Sequence, residues 1–123
     1  MRPGQPPSGR LRRLVEATRY TLAGLGHALR TERAFQEETL ILVLMVVPGT
    51  VWLGETGIER ALMVGSWLVV MAVELLNAAV ERTVDRIGME SHPLSGQAKD
   101  LGSAAVAVAI AMALVVWAMV LWG

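Results

Sequence analysis

Four polar side chains recur along one side of an apolar segment, where they could act together on a substrate. Glu74, Asn77, Glu81 and Asp85 follow the apolar run 61–73 at spacings of three, four and four residues, which places them on one helical face. A carboxylate inside a hydrophobic helix is unfavourable unless it has a partner, a proton or a metal ion. This row therefore predicts a reaction site where a membrane-spanning helix reaches the water.

The composition predicts a single-domain integral membrane protein. The chain has 123 residues, of which 54% are hydrophobic, and its apolar runs approach the roughly 20 residues that a helix needs to cross a bilayer. The net charge is zero, so no nucleic-acid partner is expected. Cysteine is absent, which excludes disulfide bonds and cysteine chemistry.

We expect an all-α fold with three membrane-spanning helices after an amphipathic surface helix. Residues 1–9 are rich in proline and glycine and are predicted to be a disordered tail, whereas 10–123 form one domain. In residues 10–30, leucines recur at helical spacing and arginines fill the other face. This pattern is typical of an amphipathic helix on the membrane surface. Thr31 is expected to cap the first span, and a loop is expected over 86–99. The predicted spans are about 32–53, 58–84 and 101–122.

The distribution of basic residues predicts the orientation of these spans. Seven of the eleven lysines and arginines precede the first span and three more lie around the second loop, whereas the first loop has only Arg60. The positive-inside rule then places the N-terminus and the loop 86–99 in the cytoplasm and the C-terminus outside. Trp52, Trp117 and Trp122 fall at the opposite edge, where aromatic belt residues are common.

We expect the polar side chains to collect at the cytoplasmic end of the helices. Carboxylates beside an amide and a lysine suit a magnesium ion that carries phosphate, because magnesium takes oxygen ligands and bridges phosphate oxygens. Glu74 lies about two helical turns deeper than Glu81, which suits a general base that faces a lipid hydroxyl. The residues concerned are Glu32, Glu74, Asn77, Glu81, Asp85, Lys99 and Asp100.

Other functions are compatible with these residues taken alone. The polar side chains could serve a non-enzymatic helix bundle held by interhelical hydrogen bonds, with Asp85 paired to Arg82 or Arg86. An ion carrier could use the same carboxylates, but the outer half of the second span, 63–73, offers only Ser66 as a polar residue. A kinase would not be of the P-loop type, because the sequence lacks the Gly-x4-Gly-Lys-Ser/Thr motif.

Three gapped segments resemble the integral-membrane diacylglycerol kinases of bacteria. Their order and separation agree with the family's, and the resemblance covers about 13–122. It implies a homotrimer in the bacterial inner membrane, with active sites shared between neighbouring subunits. The implied reaction moves the γ-phosphate of MgATP to the free hydroxyl of diacylglycerol and gives phosphatidic acid. The segments are 32–38 (ERAFQEE), 74–88 (ELLNAAVERTVDRIG) and 92–106 (HPLSGQAKDLGSAAV).

The resemblance also implies roles for individual residues. Glu74 would be the general base, supported by Asn77, and Glu32 and Glu81 would hold the metal ion with the ATP phosphates. The other nucleotide contacts would be Arg13, Tyr20, Glu90, Ser91, His92, Lys99 and Asp100. The residues at the lipid would be Arg13, Ala34, Phe35, Glu38, Trp52, Glu74 and Ser103.

Three positions depart from the family pattern. Gln97 stands where a basic residue is common, Pro93 stiffens the segment beside His92, and Glu16 takes a position that is often basic. A branch of the same family phosphorylates undecaprenol instead, which is the alternative substrate. The Asp85-Arg-Ile-Gly and Lys99-Asp-x-Gly-Ser forms of this chain favour diacylglycerol.

Overall fold

The computed structural model describes residues 9–88 and 90–123, and all regular secondary structure in these two ranges is helical. Residues 1–8, which make up most of the predicted tail, lie outside the described residues. Gly9, assigned to the tail from its composition, is the first residue of helix α1, Gly9–Thr31. Ala28 is the one buried residue of α1, and the placement of this helix on a membrane surface stays a prediction.

The first span consists of three helical pieces in direct succession. Helix α2, Arg33–Ile41, passes into a π-helical segment, Leu42–Val46, and then into helix α3, Val47–Leu53. Pro48 has no N–H, and its ring would collide with a carbonyl one turn earlier in a regular α-helix. The wider π-helical turn, in which the Val47 N–H donates to the Leu42 carbonyl, accommodates that ring.

The predicted cap of the first span is wrong. The N-cap residue of α2 is Glu32, whose side chain makes no capping hydrogen bond. Thr31 still belongs to the last turn of α1, where its hydroxyl donates to the His27 carbonyl at 2.6 Å. A threonine inside a helix commonly bonds back to the preceding turn in this way.

Helix α4, Gly57–Ile87, is the second span and begins with a capping box. The Glu59 N–H donates to the Thr56 hydroxyl at 3.1 Å, and the Thr56 N–H donates to the Glu59 carboxylate at 3.3 Å. With 31 residues, α4 is about 46 Å long, which exceeds the roughly 30 Å hydrocarbon core of a bilayer. Its C-terminal part therefore extends beyond the apolar layer if its N-terminus lies at the opposite edge.

Helix α5, Pro93–Trp122, begins eight residues before the predicted third span. The loop predicted over 86–99 is therefore wrong at both ends, because α4 continues to Ile87 and α5 already includes 93–99. Pro93 occupies the first turn, where its fixed φ favours a helix and its missing N–H costs nothing. The His92 Nδ1 accepts the Leu94 N–H at 3.1 Å and caps the helix.

Three helical segments are long and apolar enough to cross a membrane, namely Arg33–Leu53, Gly57–Ile87 and Pro93–Trp122. This confirms the prediction of an all-α fold with three helical segments apolar enough to span a membrane. Large apolar side chains such as Leu44, Leu76 and Met119 are exposed on all three segments. Such exposure is expected of helices whose backbone polar groups are satisfied internally and whose side chains face lipid.

Helix α4 is the central element, and the first span and α5 pack against it. On its α5 side, Val70 packs with Ala109 and Ala113, and the Trp117 indole N–H donates to the Met63 carbonyl at 3.1 Å. The other side of α4 meets the first span through a cluster formed by Ala28, Phe35 and Met71. The polar stripe of α4, formed by Glu74, Asn77, Glu81 and Asp85, continues from these two interfaces toward Ile87.

Candidate active site

Two buried carboxyl groups meet where α2 crosses α4. Glu38 and Glu74 each expose only 8% of their surface, and their carboxyl groups lie within hydrogen-bonding reach of each other. The Trp67 indole N–H donates to the Glu38 backbone carbonyl at 2.9 Å and holds this part of α2 against α4. Glu38 Oε1 is buried without a hydrogen-bond partner in the described part of the chain. Two carboxyl groups placed this way are suited to accept a donor such as an alcohol hydroxyl.

Sequence reasoning placed Glu38 at the lipid but did not join it to Glu74. The two residues belong to different helices, and Glu38 lies on a different helical face from Glu32. A signal was nevertheless present, because Glu38 stands only two residues before the apolar stretch that begins at Leu40. An acid in that position of a span needs a buried polar partner.

Asn77 connects Glu74 with the next carboxylate of the polar stripe. Its Nδ2 donates to Glu81 Oε1 at 3.5 Å, and its amide also lies within hydrogen-bonding reach of the Glu74 carboxyl. Carboxylate oxygens only accept hydrogen bonds, so the NH2 end of the amide is the end that serves both. The structure therefore brings Glu74, Asn77 and Glu81 together, as their helical spacing predicts.

Glu32 reaches the same end of α4 from the break between α1 and α2. Its Oε1 accepts a hydrogen bond from Arg82 Nη2 at 2.9 Å, and the same guanidinium nitrogen donates to the Thr31 hydroxyl at 2.7 Å. Arg82 thus joins the end of α1 to α4 beside Glu81. Sequence reasoning missed this contact, because Arg82 and Glu32 are 50 positions apart.

Lys99 pairs with Asp85 across the α4–α5 turn. Lys99 Nζ lies 2.6 Å from Asp85 Oδ1, so the expectation that Asp85 pairs with Arg82 or Arg86 is wrong. The reason is the early start of α5, which places Lys99 on the second helical turn, opposite the C-terminal end of α4. Both side chains remain substantially exposed, which leaves them open to a bound molecule.

Most of the predicted nucleotide-binding residues after α4 surround one small cleft. The cleft has a volume of about 290 Å³ and lies between the end of α4 and the start of α5. Glu90, Ser91, His92 and Lys99 line it together with Asp85. Five predicted nucleotide residues do not line it: Glu32 and Glu81 beside Arg82, Asp100, which follows Lys99 on α5, and Arg13 and Tyr20 on the exposed surface of α1.

The residues predicted to border the lipid are more dispersed. Phe35 is buried in the cluster with Ala28 and Met71, whereas Ala34 and Ser103 are exposed on their helices. Trp52 is 14 residues from Glu38 along the first span, about 21 Å at 1.5 Å per residue. It lines an apolar cavity of about 630 Å³ with Trp67 and Trp117.

Glu32 and Glu81 are the carboxylates that could hold a metal ion that arrives with phosphate. Among the described residues, no group of three or more histidine, cysteine, aspartate or glutamate side chains is arranged to hold a metal. Glu32 and Glu81 both lie close enough to influence the Glu74 carboxyl electrostatically. Magnesium is commonly bound by one or two carboxylates together with substrate phosphates, and these two residues match such a set.

Comparison with known proteins identifies relatives over nearly the whole chain. The family model described as prokaryotic diacylglycerol kinase matches residues 19–121. The protein named diacylglycerol kinase from Haemophilus influenzae is 50% identical over 112 residues, which cover 91% of this chain and 94% of that protein. The protein of the same name from Escherichia coli K12 is 46% identical over 110 residues, 89% of either chain. The one from Pseudomonas aeruginosa is 47% identical over 113 residues, 92% of this chain and 91% of the relative.

Proposed function

The chain belongs to the prokaryotic diacylglycerol kinase family, and we propose that it transfers the γ-phosphate of MgATP to the free hydroxyl of diacylglycerol, giving phosphatidic acid. The observation that carries this proposal is the buried carboxyl pair of Glu38 and Glu74 beside Asn77. It provides a base inside a membrane-spanning segment, where the hydroxyl of a membrane lipid can reach it. The kinase names of relatives that are 46% to 50% identical support the same assignment.

In the proposed reaction, Glu74 is the general base. The lipid hydroxyl donates its hydrogen bond to the Glu74 carboxylate, with Glu38 on the other side of the hydroxyl. As the hydroxyl oxygen attacks the γ-phosphorus, its proton passes to Glu74 and a new oxygen–phosphorus bond forms. The bond to the oxygen that bridges the β- and γ-phosphates breaks, and ADP leaves with that electron pair. Asn77 keeps the Glu74 carboxylate oriented through its amide NH2.

The nucleotide would lie between the carboxylates and the cleft at the start of α5. Glu32 and Glu81 would hold the magnesium ion, which neutralises phosphate charge when bound. Lys99, already exposed beside Asp85, would contact the phosphates, with Asp100 next to it. Glu90, Ser91 and His92 would surround the rest of the nucleotide.

We further propose a homotrimer in which neighbouring subunits share each site. The support is the exposure of predicted site residues within one subunit, since the Arg13, Tyr20, Ala34 and Ser103 side chains are all exposed there. A neighbouring subunit would bring Arg13 and Tyr20 to the nucleotide. Ala34, Ser103 and the buried Phe35 would border the lipid near Glu74.

We propose that the polar end of the helices faces the cytoplasm of the bacterial inner membrane, with the N-terminus cytoplasmic and the C-terminus periplasmic. Six of the eleven basic residues precede the first span and Arg33 is its first residue, which supports this orientation. The apolar cavity around Trp67 and Trp117 argues against an ion carrier. The Ser66 hydroxyl does not open a polar path either, because it donates to the Met63 carbonyl at 3.1 Å.

A phosphotransfer assay tests this proposal directly. The purified protein is incubated in mixed micelles with radiolabelled MgATP and either short-chain diacylglycerol or undecaprenol. We expect labelled phosphatidate from diacylglycerol and little label on undecaprenol. A preference for undecaprenol would assign the chain to the other branch of the family. The absence of label from both lipids would favour the non-enzymatic helix bundle.

A further inference from the structure

Gly102 of α5 lies directly against the side chain of Asn77. A Cβ atom added to Gly102 would overlap Asn77 Oδ1 and would lie 3.2 Å from Asn77 Cγ. Oδ1 is buried and has no hydrogen-bond partner within 9–88 and 90–123. The α5 backbone at Gly102 therefore sets the position of the amide from one side, while the carboxylates of α4 set it from the other.

Other glycines in the spans lack this relation to a site residue. A Cβ at Gly65 of α4 or at Gly96 of α5 would meet nothing within 4 Å. A Cβ at Gly49 would approach the Trp117 ring at 3.0 Å, far from the carboxylates. Gly102 is thus distinguished by its neighbour, because Asn77 is the residue that joins Glu74 and Glu81.

The amide has little freedom to move without losing these bonds. Its Nδ2 is already 3.5 Å from Glu81 Oε1, at the outer limit for a hydrogen bond. An added methyl group at Gly102 would push the amide away from α5 and rotate it, so that its NH2 group could no longer serve both carboxylates. We infer that Gly102 is a positioning residue for phosphotransfer, which acts by seating Asn77 between Glu74 and Glu81. This inference rests on the proposed role of Glu74.

Asn77 is the only asparagine in the chain, so its position can be measured without any assay of activity. Protein labelled with 15N in the asparagine side-chain amide gives one NH2 signal pair in detergent micelles. We expect Gly102→Ala to shift this pair and Gly65→Ala, the matched control, to leave it in place. An unmoved pair in Gly102→Ala would overturn the inference, whatever the protein phosphorylates.

The kinetic test is a double-mutant cycle between the two residues. Loss of a hydrogen bond to a charged group commonly lowers a rate about tenfold or more. We expect Gly102→Ala to lower kcat about tenfold while KM for diacylglycerol stays within about twofold, and Gly65→Ala to match the wild type. In an Asn77→Ala background, Gly102→Ala should change kcat by less than about twofold, because the group through which it acts is gone.

The outcomes separate this inference from the proposed function. An equal loss of kcat in both backgrounds would show that Gly102 acts on helix packing alone, and wild-type kcat in Gly102→Ala would overturn the inference as well. If Gly102→Ala does not assemble, the Asn77→Ala/Gly102→Ala double variant should, because the collision is removed; its failure would also overturn the inference. An inactive wild type, together with a shifted amide pair in Gly102→Ala, would refute the proposed function and leave the Gly102–Asn77 contact established.

Discussion

Replacing Glu74 by glutamine separates the catalytic role of its carboxylate from its structural environment. Glu74→Gln keeps the length and branching of the side chain but removes the base. General-base catalysis commonly contributes about 10²- to 10⁴-fold to a rate, so we expect kcat to fall by that factor. The phosphotransfer assay in mixed micelles measures this directly, and assembly is checked by size-exclusion chromatography in detergent.

The same substitution should not destabilise the protein. Glu38 Oε1 is buried and has no hydrogen-bond partner in the described ranges, and the Glu74 carboxyl lies beside it. A glutamine amide at position 74 can donate to Glu38, and a typical hydrogen bond contributes about 0.5–1.5 kcal/mol. We therefore expect Glu74→Gln to unfold at the same or a higher temperature than the wild type.

Glu81→Gln is the matched control for stability, because Glu81 already accepts from Asn77 at 3.5 Å and is only half-buried. Thermal unfolding followed by tryptophan fluorescence should show no gain for this variant. Near-normal turnover of Glu74→Gln would refute its role as the base. Unfolding of Glu74→Gln at a lower temperature than Glu81→Gln would refute the carboxyl pair with Glu38.

Three further predictions concern the periphery of the site. Glu81→Gln should raise the magnesium concentration needed for half-maximal activity, and an unchanged metal titration would argue against Glu81 as a ligand. Arg82→Ala should cost at most about 1 kcal/mol of stability, because its pair with Glu32 is partly exposed; a larger loss in thermal unfolding would mean that the Thr31 contact is the dominant one. Trp52→Ala should raise KM for long-chain but not short-chain diacylglycerol, because Trp52 lies about 21 Å along the span from Glu38; an equal effect on both lipids would contradict a contact with the acyl chains.

The elements of this fold that depend on local sequence were predictable. Helical periodicity relates residues three and four positions apart, so Glu74, Asn77 and Glu81 were assigned to one face without any knowledge of the other helices. The number of spans follows from the length and apolarity of three segments. The predicted start of α5 is wrong for a local reason as well, because proline breaks the interior of a helix but also favours the first turn of a helix, as Pro93 does here.

Contacts between side chains that lie far apart in the sequence are determined only by the tertiary structure. The pairing of Glu38 with Glu74 depends on where α2 crosses α4, and the pairing of Arg82 with Glu32 depends on the break at the end of α1. The position of the Asn77 amide depends on which residue of α5 lies against it. A single glycine such as Gly102 forms no periodic pattern from which this contact could be predicted. Periodicity assigns a side chain to a face of its own helix, but the packing of helices determines which atoms that face meets.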